Sequence, residues 1–556
     1  MTASELRQKR LFHDYHILKS VLIVSLPAMV LGLMAGLYAF GDQLMMIKLI
    51  PNFLSSDSIF HNLNYQHFLE LQKAYAQQIT YYDTASIIRT AVAFSAPITV
   101  FINAAALLMG NGTAVKYSQN IGRKDTVSAE KAWTLGFYSN LMFSILITVL
   151  CCGLAIVLVN IEQGNSLQSA IKRIPEGLSA DDKLLVKNIY EVASQQIRTF
   201  TLNYIYVLGS CATFAIYTQF FSLLIIAEGK QLFVVIVAIA CNGLNLFLDW
   251  IFIQYAHLAM IGGAIATDIG WLFNTLLYVW YIYYLERRRQ SNLHLTALKH
   301  INYNPSNFWG IFSLGLPSFL RNLSMAIAAT IQISLLIAVV NKAGSGVNAD
   351  QFQNIYGAVN PIYNLLYTAE FGIINGARVV CSYNYGAKNY KRVRSSQWIV
   401  NLLSLIYGAI VFGVIGFALA DPILGLFNIN NKLPINEFNS AHLILRIAIL
   451  QMPMIAIGIG GMMMFQATGR WWQASICGLM QGVICCIPIS FLVQFIAIST
   501  HSVTLFLWCP FMVLATSALA MLTWSLIYTR LHLSPDIKGR KLRQKYDQYL
   551  TKIGMK

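Results

Sequence analysis

Apolar and polar residues along this chain fall into long blocks rather than the short alternations of a soluble fold. Twelve apolar runs, at about 18–48, 86–114, 133–160, 199–227, 232–254, 261–285, 308–341, 356–383, 398–420, 441–466, 473–497 and 504–529, are separated by polar or charged connections. A bilayer core of about 30 Å takes roughly 20 apolar residues of helix. Every run is therefore long enough to span it, and the longest must tilt, bend or project beyond it. None alternates with the period of two that a barrel strand requires. The pattern predicts an all-α integral membrane protein with twelve transmembrane helices. The connections 49–85, 160–198 and 421–440 are mixed in charge, and short amphipathic helices are expected near 62–80 and 181–197.

Composition narrows the class. Of 556 residues, 56% are hydrophobic and only 11% are Asp, Glu, Lys or Arg, against about 25% charged in soluble domains. A soluble enzyme is excluded, and so is a nucleic-acid-binding chain. The net charge of +16 then reads as a topology signal. With the N-terminus inside, 25 Lys and Arg fall in the inner segments, among them Arg123, Lys124, Arg287, Arg288, Arg289, Lys388, Arg392 and Arg394, against about nine outside. Both termini are expected to be cytoplasmic, in a multi-pass protein of the cell membrane that works as a monomer. All nine cysteines lie inside apolar runs, so neither a disulfide framework nor a CxxC metal site is expected. Residues 1–17 are polar, and the apolar run behind them is too long for the core of a cleaved signal.

An internal repeat divides the chain. Asn111-Gly112, followed by Ser118-x-Asn120-x-Gly122 and basic residues, recurs as Asn375-Gly376, Ser382-x-Asn384-x-Gly386 and Lys388. Ser25-Leu26-Pro27 likewise matches Gly315-Leu316-Pro317. Each half has six spans, so the halves share one orientation about an axis along the membrane normal. The resulting division is a cytoplasmic N-terminus at 1–17, an N-lobe of helices 1–6 at 18–285, a cytoplasmic linker at 286–307, a C-lobe of helices 7–12 at 308–529 and a basic cytoplasmic tail at 530–556. Two pseudo-symmetric six-helix lobes are transporter architecture, with a cavity that alternates its access.

Ionisable groups inside apolar runs point to chemistry, because a carboxylate mid-bilayer costs at least about 2.5–3.5 kcal/mol on insertion scales. Asp42 lies in the first run and Asp249 in the fifth, where Asn242, Asn245 and Asp249 share one helix face. Thr267 and Asp268 follow in the sixth. At about 1.5 Å per residue, Asp42, Asp249 and Thr267 all come to similar depth in the outer half of the N-lobe. Two carboxylates in one desolvated pocket do not both stay ionised cheaply, so a proton or a cation is expected there. Hard oxygen ligands suit H⁺ or Na⁺ rather than a transition metal. The alternative is a water-wetted outer rim with a structural role, and for Asp268, which points about 100° away from Thr267, packing is equally open. The chain has no HExxH or GxSxG motif and no paired acidic motif at a membrane face, so no enzyme is expected. Asp181-Asp182 beside Lys183 is read as a solvated cluster.

These residues together resemble the multidrug and toxic compound extrusion (MATE) family of the polysaccharide-exporter superfamily. The resemblance rests on Ser25-Leu26-Pro27 with Asp42, Asn111-Gly112 through Gly122, Asn245 with Asp249, Gly263 through Thr267, Leu316-Pro317 and Ser382 through Lys388. It covers helices 1–8 by motif and helices 9–12 by pattern only. It implies export of organic cations or other amphiphiles in exchange for H⁺ or Na⁺, with no other cofactor, and an N-lobe cation site at Asp42, Asn245, Asp249 and Thr267. It also implies a bend of the first helix at Pro27, where the missing amide proton weakens the ladder. The chain departs from members with acids in helices 7 and 10: Gln332 stands where the repeat would place a partner of Asp42, and 442–466 contains no acid. Helix 8 carries Glu370 and Arg378, helix 7 Arg321 and helix 10 Arg446. An internal acid–base contact among these is expected; a Glu370 left unpaired and facing the cavity would instead attract a cationic substrate. Met and aromatic residues in the spans suit apolar cations, but stripes of them at helical spacing more often serve packing. Arg321 and Arg378 keep open a lipid-linked precursor flippase of the same superfamily.

Overall fold

The computed structural model describes residues 7–75, 79–299, 305–343, 349–425, 435–533 and the single position 548. Its long helices are α1 (Ile17–Leu49), α2 (Thr84–Gly122), α3 (Thr126–Lys172), α4 (Ala180–Ser210 continuing as Ala212–Ala227), α5 (Gln231–Gln254) and α6 (Ala259–Arg287). The second half supplies α7 (Pro305–Ala343), α8 (Ala349–Gly386), α9 (Tyr390–Ala418), α10 (Ile435–Ala467), α11 (Trp471–Ser499) and α12 (Val503–His532). Ten are long and apolar enough to cross a bilayer, eleven when the bent α4 counts as one span. The twelfth is α8, whose 38 residues include Glu370, Arg378 and Asn384. The predicted tail mostly lies outside the described residues, as do 1–6, 300–304 of the linker and 426–434 of the third long connection.

Two features of the predicted layout change. The connection 160–198 is largely helical: α3 runs on to Lys172 and α4 begins at Ala180, capped by Ser179, whose Oγ accepts from the Asp182 amide at 3.1 Å. The short helix expected at 181–197 is the first half of α4, which then bends by 50° at Cys211. The helix expected at 62–80 is realised as Tyr65–Ala74. It packs Tyr65 and Phe68 into an aromatic core with Phe60, Tyr82 and Tyr190. His67 Nε2 lies 2.8 Å from Asp182 Oδ1, and that hydrogen bond holds the imidazole above its ordinary titration range.

The repeat reaches down to backbone conformation. Lys124 and Lys388 take left-handed φ of 63° and 58° where α2 and α8 end, and Gly229 and Gly469 take 77° and 81° where α4 and α10 end. His257 and His501, both at 51°, follow α5 and α11. Helix pairing repeats as well. In the N-lobe α5 packs on α1 and α6, and α2 and α3 pack on α4; in the C-lobe α11 packs on α7 and α12, and α8 and α9 pack on α10.

The lobes meet along two equivalent seams, α1 against α8 and α7 against α2, with α2 crossing α8. Small residues let backbones touch there: Gly32 and Gly372 in one seam, Gly112 and Gly315 in the other. Ser25 Oγ donates to the Ile373 carbonyl at 2.9 Å. Around the turns 123–125 and 387–389 a single apolar cluster joins both lobes through Val24, Tyr117, Ile374 and Phe465. Toward the other end the cores separate, with Met46, Ile88 and Ile189 in the N-lobe and Leu336, Ile444 and Phe506 in the C-lobe. The lobes are joined at the first end and part toward the second.

Candidate functional site

The predicted N-lobe residues converge. Tyr38 and Asp42 lie one turn apart on α1, Asn245 and Asp249 one turn apart on α5, and Thr267 projects from α6. Tyr38 Oη and Thr267 Oγ1 are 2.8 Å apart, and Asn245 Nδ2 donates to the same oxygen at 3.5 Å. Asp249 is 0% and Asp42 5% exposed, and Asn245 and Thr267 are also buried. The two carboxylates lie close enough to feel each other's charge. Gly263 on α6 makes room for this: a Cβ there would stand 3.2 Å from Asp42 Oδ1.

Most of the oxygens gathered here have no donor among the described residues: Asp42 Oδ1, both oxygens of Asp249 and Asn245 Oδ1. Buried acceptors without donors are costly, and this set from α1 and α5, beside Thr267 of α6, is equipped to hold a proton or a small monovalent cation. Asn242 is diverted from the stripe and donates to the Met34 carbonyl of α1 at 3.2 Å. Asp268, also buried, meets the Cys211 thiol at the bend of α4. Sequence reasoning missed Tyr38 and Tyr204, which both sense Asp42, Asp249 and Asp268. Tyr38 could have been found from its i, i+4 relation to Asp42; nothing in the sequence of α4 marks Tyr204.

Pro27 sits inside α1, where its missing N–H frees the carbonyl of Ile23. Gln231 at the start of α5 takes that carbonyl, Nε2 to O at 2.9 Å. The weak point of α1 is thus bonded to the helix that also carries Asp249.

The C-lobe has no counterpart of this carboxylate pair. Aligning Pro317 with Pro27, and Arg470 with Lys230, sets Gln332 opposite Asp42, Cys485 opposite Asn245 and Ile489 opposite Asp249. Its buried acid among the described residues is Glu370 on α8, 0% exposed, with neither oxygen hydrogen-bonded among those residues. Tyr363, Tyr367 and Tyr407 lie within electrostatic reach of it.

The expected acid–base contact is not formed. Arg321 donates to Tyr367 Oη at 2.8 Å and stacks 3.3 Å over the Phe371 ring. Arg378 donates across the lobes to Asn111 Oδ1, and Arg446 donates to the Gly416 carbonyl at 3.1 Å. Each guanidinium is drawn to a nearer aromatic face or carbonyl group. Glu370 is unpaired, as the alternative expectation required, but it is sealed within the lobe rather than open to the cleft.

A model of the MatE family matches residues 354–496, in the half where the sequence resemblance was mainly one of pattern. An uncharacterized MG447 homologue from Mycoplasmoides gallisepticum is 30% identical over 515 residues, 89% of this chain and 87% of that protein. Multidrug export protein MepA of Staphylococcus haemolyticus is 22% identical over 79% of this chain and 85% of its own. Among solved structures, that of MATE in the straight conformation matches with a TM-score of 0.70 at 16% identity, covering 94% of this chain and 97% of the other.

Proposed function

Because the chain belongs to the MATE family of membrane transporters, we propose that it is a secondary active antiporter. It exports organic cations in exchange for H⁺ or Na⁺ by alternating access, as a monomer with both termini cytoplasmic. The observation that carries this reading is the buried set of donor-free oxygens of Asp42, Asn245 and Asp249 beside Thr267. Relatives named for multidrug export support the substrate class.

The same helices link the site to the lobes. Loading a proton or cation onto Asp42 and Asp249 neutralises them and changes how α1 packs on α5 and α6. Pro27 is where α1 yields most easily, and α1 also forms the seam with α8. A shift at the site therefore reaches the lobe interface through one helix. Arg123, Lys124, Lys388, Lys391 and Arg394 gather at the joined end, which the positive-inside rule assigns to the cytoplasm; the conformation described is then outward-open. A flippase for lipid-linked precursors would need a strongly cationic cleft, whereas Arg321 and Arg378 are turned to Tyr367, Phe371 and Asn111.

In vesicles loaded with a fluorescent organic cation, efflux is expected to follow an imposed pH gradient or an imposed Na⁺ gradient. Transport indifferent to both gradients would refute antiport. Glu370 is proposed to hold the cationic group of the substrate once the lobes rearrange. Glu370→Gln is then expected to raise the apparent KM for the organic cation about tenfold, as removal of one buried charge–charge interaction would, with gradient dependence intact. An unchanged KM with a lowered melting temperature would make Glu370 structural.

A further inference from the structure

The segment 7–14 ahead of α1 does more than carry basic residues. It crosses the joined end of the bundle and is hydrogen-bonded to both lobes. On the N-lobe side, Arg7 Nη2 donates to the Gly229 carbonyl at 3.3 Å, and Gln8 Nε2 lies 3.4 Å from both the Ala227 carbonyl and Glu228 Oε1. Glu228 is itself buried beside Lys230, with Nζ to Oε2 at 3.4 Å, and accepts from Tyr117 of α2. On the C-lobe side, the Phe12 carbonyl accepts from Asn384 Nδ2 of α8 and from Arg392 Nη2 of α9, both at 2.9 Å. Between these anchors Leu11 and Phe12 are buried, Phe12 at 1% exposure. Phe12 packs against Tyr383 with ring centroids 5.4 Å apart. Gly229 is shaped for the segment: a Cβ there would stand 2.9 Å from Leu11 Cδ2.

We propose that residues 7–14 form a strap that holds the two lobes together at this end and must let go of one lobe before the end can open. The anchors sit on opposite lobes, the Ala227–Gly229 turn on one and Asn384 with Arg392 on the other. Separation of the lobes cannot keep both. The strap therefore biases the resting population toward the state described here and sets part of the barrier to its opposite.

The proposal rests on the lobe motion inferred above, so the test reports that motion first. Spin labels at Lys124→Cys and Lys388→Cys, in a background with Cys152, Cys211 and Cys485 replaced by Ser, give the lobe–lobe distance at this end by double electron–electron resonance. A single distance in the wild type under every gradient would refute the rocking itself. With two populations present, Gln8→Ala and Phe12→Ala are each expected to raise the separated one roughly three- to tenfold, the magnitude of one net hydrogen bond or of part of one apolar side chain's burial. Arg392→Gln also cuts a 3.3 Å bond to Ser20 of α1, so it serves as the comparison. If Arg392→Gln shifts the populations and Gln8→Ala and Phe12→Ala do not, the lobes are held by Arg392 and Ser20 directly and the strap is wrong. Deletion of residues 2–14 must reproduce the shift, and failure to do so in folded, monodisperse protein overturns the proposal.

Discussion

Asp249→Asn is expected to reduce gradient-driven efflux to the leak rate, at least about a hundredfold when chemistry and motion are coupled through this group. The substitution keeps the shape of the side chain but removes both the ability to bind and release a proton and the charge that would hold Na⁺. Asp42→Asn is expected to act in the same direction. The double variant should be no worse than either single one, because the two carboxylates work as one unit. Stability separates this from a structural role. Both Asp249 oxygens are buried without a donor, so their charge contributes no stabilising contact, and the neutral amide should leave the melting temperature unchanged or raised. Efflux that persists in Asp249→Asn with its gradient dependence intact would remove this site from coupling. It would make Glu370, whose two oxygens are both buried without a hydrogen bond among the described residues, the next group to test.

How far the sequence reached is clearest residue by residue. Long apolar runs revealed the helices because a backbone in lipid must satisfy its own hydrogen bonds. The more polar α8 was found as well, as the apolar run at about 356–383, despite Glu370 and Arg378 within it. Apolarity does not encode direction, so the 50° bend at Cys211 left no trace within a continuous apolar run. The extension of α3 to Lys172 depends on packing against α4, a partner that sequence does not place. Asp42, Asn245, Asp249 and Thr267 stood out because polar groups are rare in their surroundings. Tyr38 and Tyr204 did not, among 28 tyrosines. The expected acid–base contact among Glu370, Arg321, Arg378 and Arg446 did not form because each guanidinium has a nearer partner in Tyr367 with Phe371, Asn111 or the Gly416 carbonyl. Eight residues on one helix already set Arg378 about 12 Å along α8 from Glu370. The strap at 7–14 read only as a basic flank, because two buried residues in a π-helical turn, Leu11 and Phe12, make no periodic pattern.

Gly315→Val should have the largest effect on the joined end of the lobes. A Cβ on Gly315 would stand 1.6 Å from the Leu108 carbonyl oxygen and 2.6 Å from its carbon. Both are backbone atoms of α2 and no side chain can rotate away to relieve the overlap, so the α7–α2 seam must open or both helices must shift. Overpacking of this severity costs about 3 kcal/mol or more, which lowers the population of the joined state about a hundredfold. The equivalent position on α1 is Ser25, which has a side chain and bonds to Ile373; in that seam the backbones approach closely at Gly372 of α8, where a Cβ would meet the Ala28 carbonyl oxygen at 2.1 Å. Gly372→Val is therefore expected to open the other seam to the same extent, although neither the residue nor its helix is the same. Gly153→Ala on α3, with nothing within 4 Å, is the neutral control. The measurement is the lobe–lobe distance between labels at positions 124 and 388, read alongside efflux. Both seam variants should show separated lobes and abolished transport in protein that still purifies as a monodisperse species. A Gly315→Val protein that transports normally at an unchanged distance would mean that the seam is not closed in the working cycle as it is here.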